Sequence, residues 1–426
     1  MPANDILALH GGTPVIAEPF PPYRSIGEEE ISAANRVLRS GVLSAFIGAA
    51  GPGFLGGQEV QALEREAAER FGVKHVVAVN SWTSGLVAAM GAIGLEPGDE
   101  VIVTPWTMVA TATAILHWNA IPVFVDIDLV SFNIAPEAVE AAITPRTRAI
   151  AAVDIFGQSA DMQALRSISD RHGLKLIADT AQAPGAFLDG VPAGTMADIG
   201  GFSLNYHKHI HCGEGGLLVT NDDCLAERLQ LIRNHGEAVI SSDCPEDLAN
   251  ILGHNFRLGE IEAAIAREQL HKLSGLVASR QDAAARLTAG LAELPGLTLP
   301  VVSPGATHVY YVYGMVLDCD HLGVERSWIV HALQAEGVTG LLSGYQNIHL
   351  NPLFRQRIAY GTSGFPWTGL SRGVSDVHYA PGLCPVAEKL HLRTFLGINL
   401  CAHGFDSAEV DAVLSAFRKI WLAINL

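Results

Sequence analysis

Between residues 75 and 220, short β-branched apolar runs alternate with helical stretches, and this alternation limits the fold more than any other feature of the chain. The runs are HVVAV (75–79), EVIVT (100–104), IPVFVDI (121–127), AIAAVDI (149–155), LKLIAD (174–179) and GGLLVT (215–220). Helical periodicity fills 84–94, 109–118, 136–142, 162–172 and 224–234. Apolar strands separated by crossover helices predict a mixed, mostly parallel sheet covered by helices on both faces, an α/β fold. The block extends over about 60–240. Before it lie a short helix at 28–40 and a glycine-rich passage, GAAGPGFLGG. After it, 257–294 reads as mostly long helices. A smaller α+β part follows, with an alternating run THVYYVYGMV, a helix at 326–337 and a Pro/Gly/aromatic loop near 343–385. For 426 residues this suggests an N-terminal segment (1–58), a large domain (59–275) and a small C-terminal domain (276–426).

Residues 101–125 contain no Asp, Glu, Lys or Arg, a length that could span a bilayer. Pro105, Pro122, Asn119, His117 and a change from β-branched to helical and back favour a buried strand–helix–strand unit instead. The hydrophobic fraction of 49% against 17% charged residues supports a large core. A net charge of −17 argues against nucleic acid and anionic membranes as partners, because both need a basic face. Cys212, Cys224, Cys244, Cys319, Cys384 and Cys401 show no CxxC spacing and read as reduced thiols of a cytoplasmic protein. The N-terminus lacks the basic-then-apolar pattern of a signal peptide.

The most informative segment is GGFSLNYHKHIHCGEGGLLVT (200–220). Lys208 stands between two candidate strands among small, apolar and histidine residues, with no acid nearer than Glu214. Desolvation there lowers an amine's pKa, as a Schiff-base lysine requires. Upstream, in LIADTAQAPGA, Asp179 ends an apolar strand, where parallel sheets place ligand-binding groups. A carboxylate there holds a pyridinium nitrogen protonated, and Gln182 reaches a ring substituent. In VNSWTSGLVAAMGA (79–92) a strand, a small polar turn and a helix start form an anion cup fit for a phosphate. Strand–cup–helix, strand–Asp and strand–Lys are the parts a pyridoxal-phosphate enzyme needs. Each has a plain alternative: a surface lysine, a helix-capping aspartate, turn chemistry at GEGG. His207, His209 and His211 alternate, so on a strand they would share a face. With Cys212 they could suggest a metal, although zinc ligands usually come from separate spacings. A polar pocket wall is the simpler reading.

Over most of its length the sequence resembles the DegT/DnrJ/EryC1/StrS aminotransferases. The likeness is carried by PFPPYRSIGEEEI, GVLS, FLGGQEVQALEREAAERFGVKHVVAVNSWTSGL, GDEVIVTPWTMVATATAIL, IPVFVDID, ADTAQAPGA, the lysine segment with GEGG, RNHGE, GHNFRLGEIEAAIA and AEKL. The resemblance implies the aspartate-aminotransferase (type I) fold, pyridoxal 5'-phosphate as cofactor, and transfer of an amino group from glutamate or glutamine to a keto-sugar or cyclitol ketone. By position it makes Lys208 the Schiff-base lysine, Asp179 the pyridinium partner and Gln182 a ring contact. Trp82, Thr83 and Ser203 fall on phosphate positions, and Met108 where a side chain packs on the ring. Asn255 falls where a neighbouring subunit reaches the phosphate, which implies a homodimer with shared active sites. Three residues depart from the pattern. Trp82 replaces a small residue, so its side chain must point away from the cup. Met108 replaces an aromatic, and His207 precedes the lysine where serine or threonine is frequent. A sugar dehydratase of the same fold, with histidine in place of the lysine, and a non-catalytic relative are the alternatives.

Overall fold

A computed structural model describes residues 6–238, 249–369 and 375–424. Its strands and helices alternate as the sequence predicts. Helices α1 (Glu28–Ser40) and α2 (Gln58–Phe71) precede β1 (His75–Val79). Then come α3 (Trp82–Ala92), β2 (Glu100–Val103), α4 (Ala110–His117), β3 (Ile121–Phe124), α5 (Pro136–Ala141), β4 (Thr147–Val153), α6 (Met162–His172) and β5 (Lys175–Asp179). A small hairpin, β6 (Phe187–Leu188) and β7 (Val191–Pro192), leads to β8 (Ile199–Ser203), β9 (Gly216–Thr220) and α7 (Asp223–Arg233). The main sheet has the order β1-β9-β8-β5-β4-β2-β3. Only β9 runs against its neighbours, pairing antiparallel with β1 and β8, while the other pairs are parallel. The strands are buried almost throughout, as expected for a sheet covered on both faces.

Local chemistry sets the element ends. Ser81, Asp161 and Asp222 cap α3, α6 and α7 by accepting from the amides of Ser84, Ala164 and Leu225. The residues at 257–294 form not several helices but one, α8 (Glu260–Leu291). Its Glu260 carboxylate accepts from the Glu59 amide at 2.8 Å, closing the start of α2. The first half of α8 packs Ala263, Leu270 and Leu273 with α2 against the main sheet. The second half packs Ala284, Leu287 and Leu291 into another core. The helix therefore crosses residue 275 without a break.

That second core covers an antiparallel sheet of β10 (Leu297–Thr298), β11 (Val312–Leu317), β12 (Leu341–Leu342) and β13 (Phe395–Asn399), in the order β10-β11-β13-β12. Its helices include Arg326–Ala335 and Ser407–Ile424. Leu7 and Ile16 join it from the N-terminal end. Glu336, fully buried, fastens that end: it accepts from the Ala8 and Val15 amides and pairs with Lys419 at 2.9 Å.

No helix among the described residues is long and apolar enough to cross a membrane. Cys212, Cys319, Cys384 and Cys401 are free and buried. Cys224, exposed at the start of α7, is disulfide-bonded, which corrects the reading of every cysteine as a reduced thiol. Spacing gave no warning, because pairing depends on tertiary proximity. Cys244 lies outside the described residues.

Candidate active site

The carboxyl ends of β1, β2, β5 and β8 converge on one cavity of about 150 Å³. Ligands bind at this edge in open parallel sheets. Trp82, Thr83, Met108, Asp179, Gln182, Ser203 and Lys208 all line it. Asn255 does not. It is exposed, its Oδ1 accepts from Arg257 Nε at 2.9 Å, and its carbonyl accepts from Asn80 Nδ2.

Lys208 sits in the loop joining β8 to β9. The loop closes on itself: Leu204 N donates to Gly215 O, Cys212 N to Leu204 O, and Asn205 Nδ2 to Glu214 Oε1 at 2.7 Å. A turn bond from Lys208 N to Asn205 O aims the side chain inward. Its Nζ lies 4.5 Å from the centre of the Tyr311 ring, delivered by the smaller sheet region. Burial pulls the amine down to about 8, against the opposing pull of Asp179. The sequence argument anticipated this direction. The histidines, however, do not share a strand face, because 204–215 is turns and bends. His209 is fully buried with Nε2 2.9 Å from Val309 O, and burial holds it at about 3, a neutral anchor. Only His207 of the three lines the cavity. Among the described residues no group of His, Cys, Asp and Glu is arranged to hold a metal.

Asp179 ends β5 at the cavity floor, 5% exposed. Its Oδ1 accepts from Trp82 Nε1 at 2.6 Å and from the Ala181 amide at 3.3 Å, and its Oδ2 from Thr111 Oγ1 at 2.7 Å. Burial pushes its pKa up, while these donors and Lys208 pull it back. The Trp82 indole turns inward along the cavity floor. It inserts against Gly85 and Gly201, where a Cβ on either glycine would collide with the ring. This explains Gly201 on sterics alone, while a Cβ at Gly200 would collide with the Gly194 carbonyl instead. The added finding is that the indole serves as a hydrogen-bond donor to the carboxylate.

Gln182 accepts from the Phe156 amide through Oε1 at 2.9 Å and donates from Nε2 to Tyr345 Oη at 3.3 Å. Ser203 Oγ accepts from Asn205 N at 3.3 Å. Ser81 caps α3, so the Trp82 and Thr83 amides of the first turn have no intrahelical acceptor. Met108, 57% exposed, stands at the mouth with its sulfur accepting from Ala110 N. The sequence reading missed Thr111, Tyr311 and Tyr345. Thr111 had a faint signal: it lies four residues after Thr107, and the two hydroxyls are 3.1 Å apart.

This donor set fits pyridoxal phosphate. The amine of Lys208 matches an aldehyde, the buried Asp179 matches a protonated ring nitrogen, and the start of α3 with Ser203 matches a phosphate. Comparison with known proteins agrees. Residues 24–386 match the DegT/DnrJ/EryC1/StrS aminotransferase family. The chain is 38% identical over 430 residues to the L-glutamine:2-deoxy-scyllo-inosose aminotransferase of Streptoalloteichus tenebrarius, covering 97% of each chain. It is 39% identical over 341 residues to the dTDP-3-amino-3,4,6-trideoxy-alpha-D-glucose transaminase of Micromonospora megalomicea, covering 78% of this chain and 82% of that one. The structure of an aminotransferase from Psychrobacter cryohalolentis superimposes with a TM-score of 0.82 at 28% identity, covering 96% of this chain and 100% of that one.

Proposed function

The chain belongs to the DegT/DnrJ/EryC1/StrS aminotransferase family, and from that premise we propose that it transfers the amino group of glutamine or glutamate to an uncharged cyclitol ketone. It is a pyridoxal-phosphate-dependent aminotransferase. The choice of acceptor rests on one observation: among the described cavity-lining residues Lys208 is the only lysine or arginine. A sugar diphosphate would find no second cation there, whereas a polyol finds hydroxyls, amides and an imidazole. The relative matched over 97% of both chains is named for such a cyclitol. The dehydratase alternative needs a histidine in place of Lys208, but the neighbouring His209 is buried against Val309.

The bound cofactor supplies an electron sink for charge developing at the donor's α-carbon. The chain's own groups supply the rest. Lys208 Nζ takes the proton from that carbon and later gives one to the acceptor carbon that receives nitrogen. Its lowered pKa leaves part of the amine neutral near pH 7 and so able to act as a base. Asp179, fixed by Trp82 and Thr111, presents a negative charge to the ring nitrogen. Gln182, clamped between Phe156 and Tyr345, orients the ring edge. The α3 amides and Ser203 hold the phosphate. The test is a two-stage assay. L-glutamine should change the cofactor's absorbance, and 2-deoxy-scyllo-inosose should then reverse it faster than a dTDP-linked keto-sugar. A preference for the nucleotide sugar would sink the cyclitol assignment.

The active site is further proposed to be shared across a homodimer. Asn255 is exposed, outside its own cavity, just ahead of α8. Ile31, Leu38, Val42, Leu43 and Ile47 are exposed apolar residues of the N-terminal segment, suited to burial by a second copy. Asn255→Ala should weaken cofactor retention without unfolding the chain. Mixing Lys208→Ala with Asn255→Ala subunits should restore part of the lost activity, because one site of each mixed dimer is intact. A monomer in sedimentation at micromolar concentration, or no rescue after demonstrated subunit exchange, would refute sharing.

A further inference from the structure

His207 is a polar cavity-lining group that the steps above leave without a task. Its backbone is fixed by a bond from its amide to Asn205 Oδ1. Its ring is bracketed by aromatic neighbours, Tyr206 edge-on at 5.0 Å and Tyr311 at 6.3 Å. Tyr311 also lies under the Lys208 amine, so one ring positions both adjacent side chains. Among the described residues neither nitrogen of the His207 ring has a hydrogen-bond partner. His207 is exposed at the cavity, and the partial desolvation of its ring together with the nearby Lys208 lowers the imidazole to about 4, so it is neutral at working pH. A neutral imidazole offers one N–H donor and one acceptor. A hydroxyl matches both. A carboxylate or phosphate, having only acceptors, uses one and faces the other unfavourably.

We propose that His207 is a specificity-determining residue of the aminotransferase reaction, hydrogen-bonding a hydroxyl of an uncharged polyol ketone close to the carbon that receives nitrogen. The proposal rests on the aminotransferase reading of this cavity and deepens it. It separates the two half-reactions. At its reacting end the donor presents an α-carboxylate, which can use only the N–H of the ring. The acceptor presents hydroxyls, which use both.

The experiment measures both half-reactions in holoenzyme, using L-glutamine and 2-deoxy-scyllo-inosose as probes. His207→Ala should raise the KM for the cyclitol ketone about 5- to 30-fold, the effect of losing one or two neutral hydrogen bonds. The glutamine half-reaction should change less than about threefold, within the size of a single weak contact. His207→Gln, which keeps a donor and an acceptor, should recover most of the loss. The proposal is overturned if His207→Ala leaves the cyclitol KM within about twofold of wild type. It is equally overturned if both half-reactions fall together, if the Gln and Ala variants lose alike, or if wild type runs the glutamine half-reaction but does not aminate the cyclitol. Failure of wild type to react with either glutamine or glutamate would instead overturn the parent reading.

Discussion

Replacing Lys208 with alanine is expected to abolish turnover while leaving the fold intact. A positioned general base alone contributes roughly 10²- to 10⁴-fold, and this lysine is also the only amine of the cavity among the described lining residues. Stability should follow a different course. The folded-state pKa of about 8 lies below the ordinary 10.5, so the unfolded chain binds the proton more tightly. Between those values stability therefore rises with pH, and below about 8 the buried ammonium weighs against folding. Removing it should leave the apo-variant at least as stable as apo-wild type at pH 7. The same pKa predicts that cofactor loading of apo-wild type accelerates as pH climbs through about 8, because the neutral amine is the nucleophile. Stopped-flow loading and calorimetry measure both. A variant within tenfold of wild-type turnover would refute the assignment.

That Lys208, Asp179 and Gln182 line one cavity was legible in the sequence because their setting is local. Each follows directly from a strand that can be recognised by its own apolar run. The start of α3 at Ser81–Thr83 was readable for the same reason, as a polar turn between strand and helix. The groups that tune these residues were not. Tyr311 and Tyr345 come from the smaller sheet region, more than 100 residues downstream of Lys208 in sequence, and no local pattern links them to it. Steric reasoning about the size of Trp82 gave no hint that its N–H would end on Asp179. The alternating histidines misled because period-two spacing signals a strand only where the backbone is extended, and this loop is bent by the turn at Asn205–Lys208. Asn255 is exposed and away from its own cavity, so a single chain shows its place but gives it no task.

Asp179→Asn is expected to cut turnover by roughly 10²-fold or more, the usual loss when one fixed charge at a reacting centre is removed. The substitution isolates charge from shape. Asparagine's oxygen still accepts from Trp82 Nε1, and its amide can donate to Thr111 Oγ1, whose hydroxyl rotates toward Thr107. Neither neighbour is stranded, so the melting temperature should hold. Asp179→Ala differs, because it leaves the indole N–H and the threonine hydroxyl buried without their acceptor, at about 1–3 kcal/mol for each group. Cofactor affinity should fall in both, since a charge-assisted hydrogen bond is worth about 1.5–3 kcal/mol. Thr111→Val supplies the graded comparison. It removes one of the donors that offset burial, so the Asp179 pKa should rise further and activity should decline first at low pH, where the carboxyl protonates. Turnover against pH, cofactor titration and calorimetry across the three variants separate the charge from its supports. Wild-type kinetics in Asp179→Asn would reduce the residue to a strand-end cap, and Trp82 and Thr111 to its packing.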